Sequence, residues 1–172
     1  MSRSVEEHRK HAEGRSVAFA VVTVSDSRSA TTDASGDAIA RLAVESGHGV
    51  ARRTLVRDEA GDIRAAVLDA LDDPAVEAVV TTGGTGIAPR DVTLEALLDL
   101  FEKRLPGFGE IFRMLSFESV GSAATLTRAE GGIARGKALY VLPGSPAAVD
   151  LAMRRLILPE IAHVADLLAR RG

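Results

Sequence analysis

Four stretches of this chain carry residue types that could do chemistry together. The first is Thr81, Thr82, Gly83, Gly84, Thr85 and Gly86. A turn this rich in glycine lets the backbone approach a ligand closely, and its successive N–H groups can form a nest for an anion such as phosphate. It can also do no more than carry a strand tightly into a helix. It is not a P-loop, since no Gly-Lys-Ser/Thr follows, nor a dinucleotide fingerprint, because Ile87, Ala88, Pro89 and Arg90 come next. A classical NTPase or dehydrogenase is disfavoured.

Two carboxylates stand at related positions. Asp91 follows Gly86 by five residues and precedes a helical pattern, so it either caps that helix or stands beside the glycine turn. Asp58 closes another apolar run between Arg57 and Glu59, either as a solvated loop carboxylate or facing the same cleft. If both face it, they offer hard oxygen ligands to a magnesium ion that keeps several waters and bridges to phosphate oxygens. That arrangement suits metal-assisted phosphoryl or nucleotidyl transfer. Ser25, Asp26 and Ser27 could bind a polar heterocycle or a phosphate, or could simply turn the chain. Pro143, Gly144, Ser145 and Pro146 read as a rigid binding loop or as a tight helix entry. Arg90, next to Asp91, is a phosphate clamp by its planar fork or a paired surface arginine.

Composition narrows the chemistry. With 172 residues, 46% of them apolar, the chain predicts one domain with a real core, residues 16–172, preceded by a charged, aperiodic mobile arm over residues 1–15. A net charge of −3 gives no basic field for nucleic acid or an anionic membrane. The absence of cysteine removes disulfides, thiolate metal sites and thiol nucleophiles. The longest nearly apolar run, residues 17–24, is too short to span a bilayer and no signal-peptide pattern opens the chain, so a cytoplasmic protein is expected. His8 and His11, in the arm, are expected to be solvated rather than metal-bound.

These residues need elements to position them. Apolar β-branched runs at 17–24, 50–56, 76–82 and 138–142 predict strands. Helical patterns fall at 36–46, 62–71, on Leu94, Leu97, Leu98 and Phe101 as one apolar face, at 108–119, and over 147–168 with Pro159 dividing the last. Residues 125–133 predict an antiparallel edge strand returning through a turn at 134–137. Strands alternating with helices demand an α/β protein, a three-layer α/β/α sandwich around a mostly parallel sheet with that antiparallel edge strand. In such a sheet all carboxyl ends share one edge, where ligands bind at a topological switch point. The four stretches lie at strand exits, so the architecture would gather them.

The ordered motifs TTGGTGIAPRDVT at 81–93, TVSDS at 23–27, DASG at 33–36, GFGEIFRMLSF at 107–117 and LPGSP at 142–146 resemble the MoaB/Mog family of molybdenum cofactor biosynthesis, its MoaB branch above all. The resemblance implies a molybdopterin adenylyltransferase, in which the terminal phosphate of molybdopterin attacks the α-phosphorus of Mg-ATP and pyrophosphate leaves. Asp58 and Asp91 match the family's essential carboxylates, the first holding magnesium and triphosphate, the second positioning metal or the attacking phosphate. Ser25, Asp26, Thr82, Gly83, Gly84, Thr85, Gly86, Arg90, Pro143, Gly144 and Ser145 would bind pterin and phosphates, with Glu110 near the cleft. The resemblance further implies homotrimers or hexamers and a molybdenum-insertion enzyme as partner. It is also compatible with a non-catalytic molybdopterin-binding or carrier oligomer of the same pathway.

Overall fold

The computed structural model describes residues 14–29 and 31–170; His8 and His11 and nearly all of the predicted arm lie outside them. Six strands form one sheet in the order β2-β1-β3-β6-β5-β4. Strand β1 (Ala18–Val24) is central, with β2 (Gly49–Val56) and β3 (Ala78–Thr82) paired in parallel along its two edges and its two faces buried under side chains of the flanking helices. β2 is an edge strand, and its residues alternate between half-buried and exposed. β6 (Lys137–Leu142) continues the parallel set beside β3.

Helices cover both faces. Val17, Phe19, Val21, Val80 and Tyr140 pack on one side against Ile39 and Leu42 of α1 (Ala34–Glu45), Phe112 of α4 (Pro106–Val120), Val149 of α5 (Pro146–Ala152) and Ile161 of α6 (Ile161–Ala169). Ala20, Val22, Val79, Leu139 and Val141 pack on the other against Ile63, Val67 and Leu71 of α2 (Ala60–Asp72) and Leu94 and Leu97 of α3 (Thr93–Leu97). The strands change neighbour between β1 and β3: the chain leaves β1 for β2 through α1 on one face and returns from β2 to β3 through α2 on the other. This is the three-layer sandwich the alternating pattern predicts, with a crevice at the β1/β3 carboxyl ends.

The antiparallel side differs in detail from expectation. The strand predicted over 125–133 is β5 (Glu130–Ala134), preceded by a 3₁₀ turn at Gly121–Leu126, and it is not the edge. A two-residue strand, β4 (Lys103–Arg104), pairs outside it. Two residues offer no periodicity to read, and Gly132 is what lets β4 come so near, since a Cβ there would collide with the Lys103 carbonyl. β5 does return to β6 through a two-residue turn, Arg135 (φ 48°) and Gly136 (φ 70°), whose left-handed pair matches the twist of a hairpin. The face predicted from Leu94 to Phe101 also breaks. α3 tightens into a 3₁₀ turn at Leu98–Leu100, and the change of pitch leaves Leu98 39% exposed while Leu94 and Leu97 stay buried. In the C-terminal region α5 runs through a π turn (Met153–Ile157) and stops before Pro159, as the proline requires.

Candidate functional site

The crevice is built by three strand ends packed too closely for side chains. Gly83 (φ 107°) and Gly84 (φ 62°) follow β3 in conformations that L side chains rarely adopt. A Cβ on Gly83 would strike the Val24 carbonyl at the end of β1, and one on Gly144 would lie 3.2 Å from the Gly83 Cα. The β6 exit is tied to the same turn: the Gly83 amide donates to the Leu142 carbonyl at 3.1 Å and the Thr82 hydroxyl to the Pro143 carbonyl at 2.9 Å. Buried Thr93, opening α3, donates its hydroxyl to the Gly83 carbonyl at 2.9 Å and its amide to the Gly84 carbonyl at 3.0 Å.

Both acids lie against this turn. A Cβ on Gly84 would fall 2.7 Å from Asp58 Oδ1, and one on Gly86 would fall 2.6 Å from Asp91 Oδ2. The two carboxylates therefore share one protomer's crevice, and the negative charge of Asp91 acts on Asp58. Burial above all raises the Asp58 pKa above the ordinary carboxylate range; the Val92 amide opposes the shift, and the charges of Asp91 and Glu59 add to it. Asp58 Oδ1 is buried without a hydrogen-bond partner among the described residues. Asp91 does not cap α3, whose N-cap is Val92; its Oδ2 instead accepts the Ala88 amide at 2.9 Å, folding it back into the loop. Among the described residues no three His, Asp or Glu side chains gather as a metal cage. Two carboxylates, one with a lone oxygen, fit a hard cation that takes its remaining ligands from water and phosphate.

The other predicted residues are placed unequally. Ser25 Oγ accepts the Ser27 and Arg28 amides at 3.3 and 3.2 Å, so it forms the local turn. Asp26 joins the exits, accepting the Asp58 amide at 3.1 Å and pairing with Arg90. Arg90 thus has a carboxylate partner at the mouth of the crevice. Ser145 caps α5 by accepting the Ala148 amide at 3.2 Å, with Pro146 in the first turn. Glu110 is exposed on α4 and makes no hydrogen bond or ion pair among the described residues, so no contact brings it to the crevice.

Residues the sequence reading did not single out hold the loops in place. Arg28 and the buried Ser35 both donate to the Gly144 carbonyl, at 2.9 and 2.7 Å. Buried Asp33 receives the Thr23 hydroxyl at 2.7 Å and the Gly36 amide at 2.9 Å, fixing the start of α1. Arg128 reaches the glycine turn from the segment before β5. None sits at a strand exit, and the one usable signal was the DASG motif. Beside the Pro143 wall, α4 and α5 enclose a cavity of about 640 Å³ lined by Phe112, Ser116, Thr127, Ser145 and Arg155 among others.

A sheet covered on both faces, with a glycine turn and two acids at its switch point, defines a doubly wound α/β domain with its crevice at the strand carboxyl ends. Residues 20–163 match the family model described as a probable molybdopterin binding domain. "Molybdenum cofactor biosynthesis protein B" of Bacillus subtilis (strain 168) is 49% identical over 162 residues, covering 94% of this chain and 95% of that protein. A crystal structure of a molybdenum cofactor biosynthesis protein B superposes with a TM-score of 0.90 at 44% identity, covering 92% of this chain and 99% of that one. That of the tungsten cofactor synthesizing protein MoaB from Pyrococcus furiosus gives 0.80 at 36%, covering 90% and 98%. The chain belongs to this MoaB/Mog family of molybdenum cofactor biosynthesis proteins. No helix among the described residues is long and apolar enough to cross a membrane.

Proposed function

We propose that the chain adenylylates molybdopterin with Mg-ATP. An oxygen of the pterin's terminal phosphate bonds to the α-phosphorus of ATP, the bridging α–β bond breaks, and pyrophosphate leaves with the electron pair. The observation that carries this reading is the unpartnered Asp58 Oδ1 at the glycine turn, with Asp91 on the same turn. A buried carboxylate oxygen without a partner is costly, and a cation bound there would offset the cost.

Such a transfer asks little covalent work of the protein, since it is accelerated by in-line alignment and by stabilising charge on the phosphate oxygens. The N–H groups of the turn after Gly83 suit the triphosphate, and Asp58 and Asp91 would hold magnesium, which supplies charge neutralisation when bound. Arg90 lies close enough to exchange Asp26 for a phosphate. The cavity between α4 and α5, with an aromatic wall at Phe112, hydroxyls at Ser116 and Thr127 and Arg155, which has no ion pair among the described residues, suits a flat heterocycle carrying a phosphate. It abuts the glycine turn through Pro143, so pterin and nucleotide would meet at the acids.

Incubating the purified chain with molybdopterin, magnesium and ATP labelled at the α-phosphate should give adenylylated pterin and pyrophosphate in equal amounts. Pterin retained without product would replace this reading by that of a carrier. A stripe of exposed apolar residues along α4, Ile111, Met114 and Phe117, supports assembly of several copies; light scattering of the same sample should report a trimer or hexamer.

A further inference from the structure

The segment Thr85–Asp91 leaves the glycine turn, carries Arg90 and Asp91, and comes back to α3. One side chain spans its two ends. Arg128 donates Nε to the Thr85 carbonyl at 3.0 Å and Nη2 to the Asp91 carbonyl at 2.9 Å. Both Nη atoms also bind the Glu95 carboxylate, on the exposed side of α3. Four donor contacts occupy one planar guanidinium. A lysine, with a single nitrogen at its tip, cannot reproduce this fork.

Among the described residues no other side chain bonds to both ends of the loop. Its inner contacts are short-range: the Asp91 amide and Oδ2 with Ala88, and Arg90 with Asp26. Its flanks are anchored through Thr93, which holds the carbonyls of Gly83 and Gly84 and none within 85–91. The Thr85 and Asp91 carbonyls are therefore set relative to one another by Arg128, and the Asp91 carboxylate is borne on the residue so held. The residue before it, Thr127, lines the cavity between α4 and α5. Arg128 thus stands where the two halves of the crevice adjoin.

We infer that Arg128, backed by Glu95, is a positioning residue that fixes the 85–91 loop and so aims Asp91 at the metal-bound phosphates, without itself touching ligand. This rests on the adenylyl-transfer reading for its effect on rate, and not for its effect on the loop.

The inference is tested with the full-length Arg128→Ala, Arg128→Lys and Glu95→Gln variants. Amide hydrogen exchange should speed up at least about tenfold in residues 86–91 of Arg128→Ala, with the β1, β3 and β6 amides unchanged. Under the transfer assay, kcat should fall about 10- to 100-fold and the magnesium concentration for half-maximal rate should rise. The KM for pterin should stay within about twofold. Arg128→Lys should recover little of this, Glu95→Gln should lose only a few-fold, and millimolar guanidinium should restore part of the Arg128→Ala rate without stimulating wild type. Unchanged exchange over 86–91 in Arg128→Ala would overturn the inference, as would exchange raised equally through the core, or full activity in Arg128→Lys. If wild type forms no product, the transfer reading fails, and the exchange experiment still decides for or against Arg128.

Discussion

The two edges of the sheet treat their polar groups differently. At the amino edge the charges that begin strands are paired: Glu77 receives Arg15 at 2.5 Å and the Ala18 amide at 3.1 Å, Lys137 donates to the Asp73 carbonyl, and the cavity among them is only about 160 Å³. At the carboxyl edge Asp58 Oδ1 has no partner among the described residues, and the adjoining cavity is about 640 Å³. Both edges come from the same strands and carry similar residue types. An unsatisfied buried polar oxygen costs about 1–3 kcal/mol. Asp166 Oδ2 at the amino edge also lacks a hydrogen bond but has the Arg170 guanidinium 2.7 Å away, whereas no cationic side chain among the described residues pairs with Asp58, which marks the carboxyl edge as the one a cation from outside the chain would complete.

The contrast breaks most sharply at Asp91. Asp91→Asn keeps an acceptor for the Ala88 amide but removes the charge, so turnover should fall at least about 100-fold while the melting temperature stays within a few degrees. Rates near wild type would remove Asp91 from the chemistry and leave the carboxyl edge no more functional than the other. Asp58 sharpens the comparison through pH. Its folded-state pKa is raised, chiefly by burial, so the carboxylate protonates at a higher pH than an ordinary one. The fold gains stability relative to the unfolded chain as pH falls through that raised value, while cation-dependent ATP binding is lost over the same window. Calorimetric titration with Mg-ATP across pH 4 to 7 should show the loss. Asp58→Asn should bind weakly at every pH, and a retained pH slope in that variant would assign it to another group.

Two glycines, both at the carboxyl edge, separate the crevice turn from its surroundings next. Gly84→Ala would combine a left-handed φ of 62° with a collision on the Thr93 hydroxyl and Asp58, and should cost about 2–4 kcal/mol in chemical denaturation. Gly61 meets nothing within 4 Å at the start of α2, so Gly61→Ala should add about 0.5–1 kcal/mol. Equal effects at the two positions would mean that the turn is not held as tightly as its contacts suggest.

How much of this was legible follows from range. Parallel strands and their amphipathic helices are written in local periodicity, so β1, β2, β3, β6, α1 and α2 were readable within a residue or two of their ends. β4 was not, because its two residues pair only where Gly132 opens space. The change of pitch after Leu97 was likewise invisible to a pattern that assumes one period. At the site, Asp58, Asp91 and the glycine turn stood out because they sit at strand exits. Arg128, Arg28 and Ser35 did not, since each acts on a carbonyl at least 37 residues away, and a backbone carbonyl has no sequence signature. Ser25 forms a local turn and Arg90 pairs with Asp26; each is one of the alternatives that local sequence offers, and only the second needs a tertiary contact.

The smallest expected effect lies at the quieter edge. His48 Nδ1 accepts the Val17 amide at 3.2 Å, and its ring packs 5.7 Å from that of Phe19. That geometry requires a neutral ring at Nδ1. Burial lowers its pKa below the ordinary 6.5, and the charge of Glu77 opposes the shift. The unfolded chain therefore binds a proton first on acidification: the contribution of His48 is complete above about pH 6.5 and declines as pH falls toward the folded-state value. Urea midpoints should drop over that interval in wild type. His48→Asn, whose amide oxygen can replace Nδ1 as acceptor, should flatten the slope without changing Mg-ATP affinity at pH 7, because His48 lies at the opposite end of the strands from the acids. A change in that affinity would show the edges to be coupled through the sheet, and the contrast between them would then be one of degree.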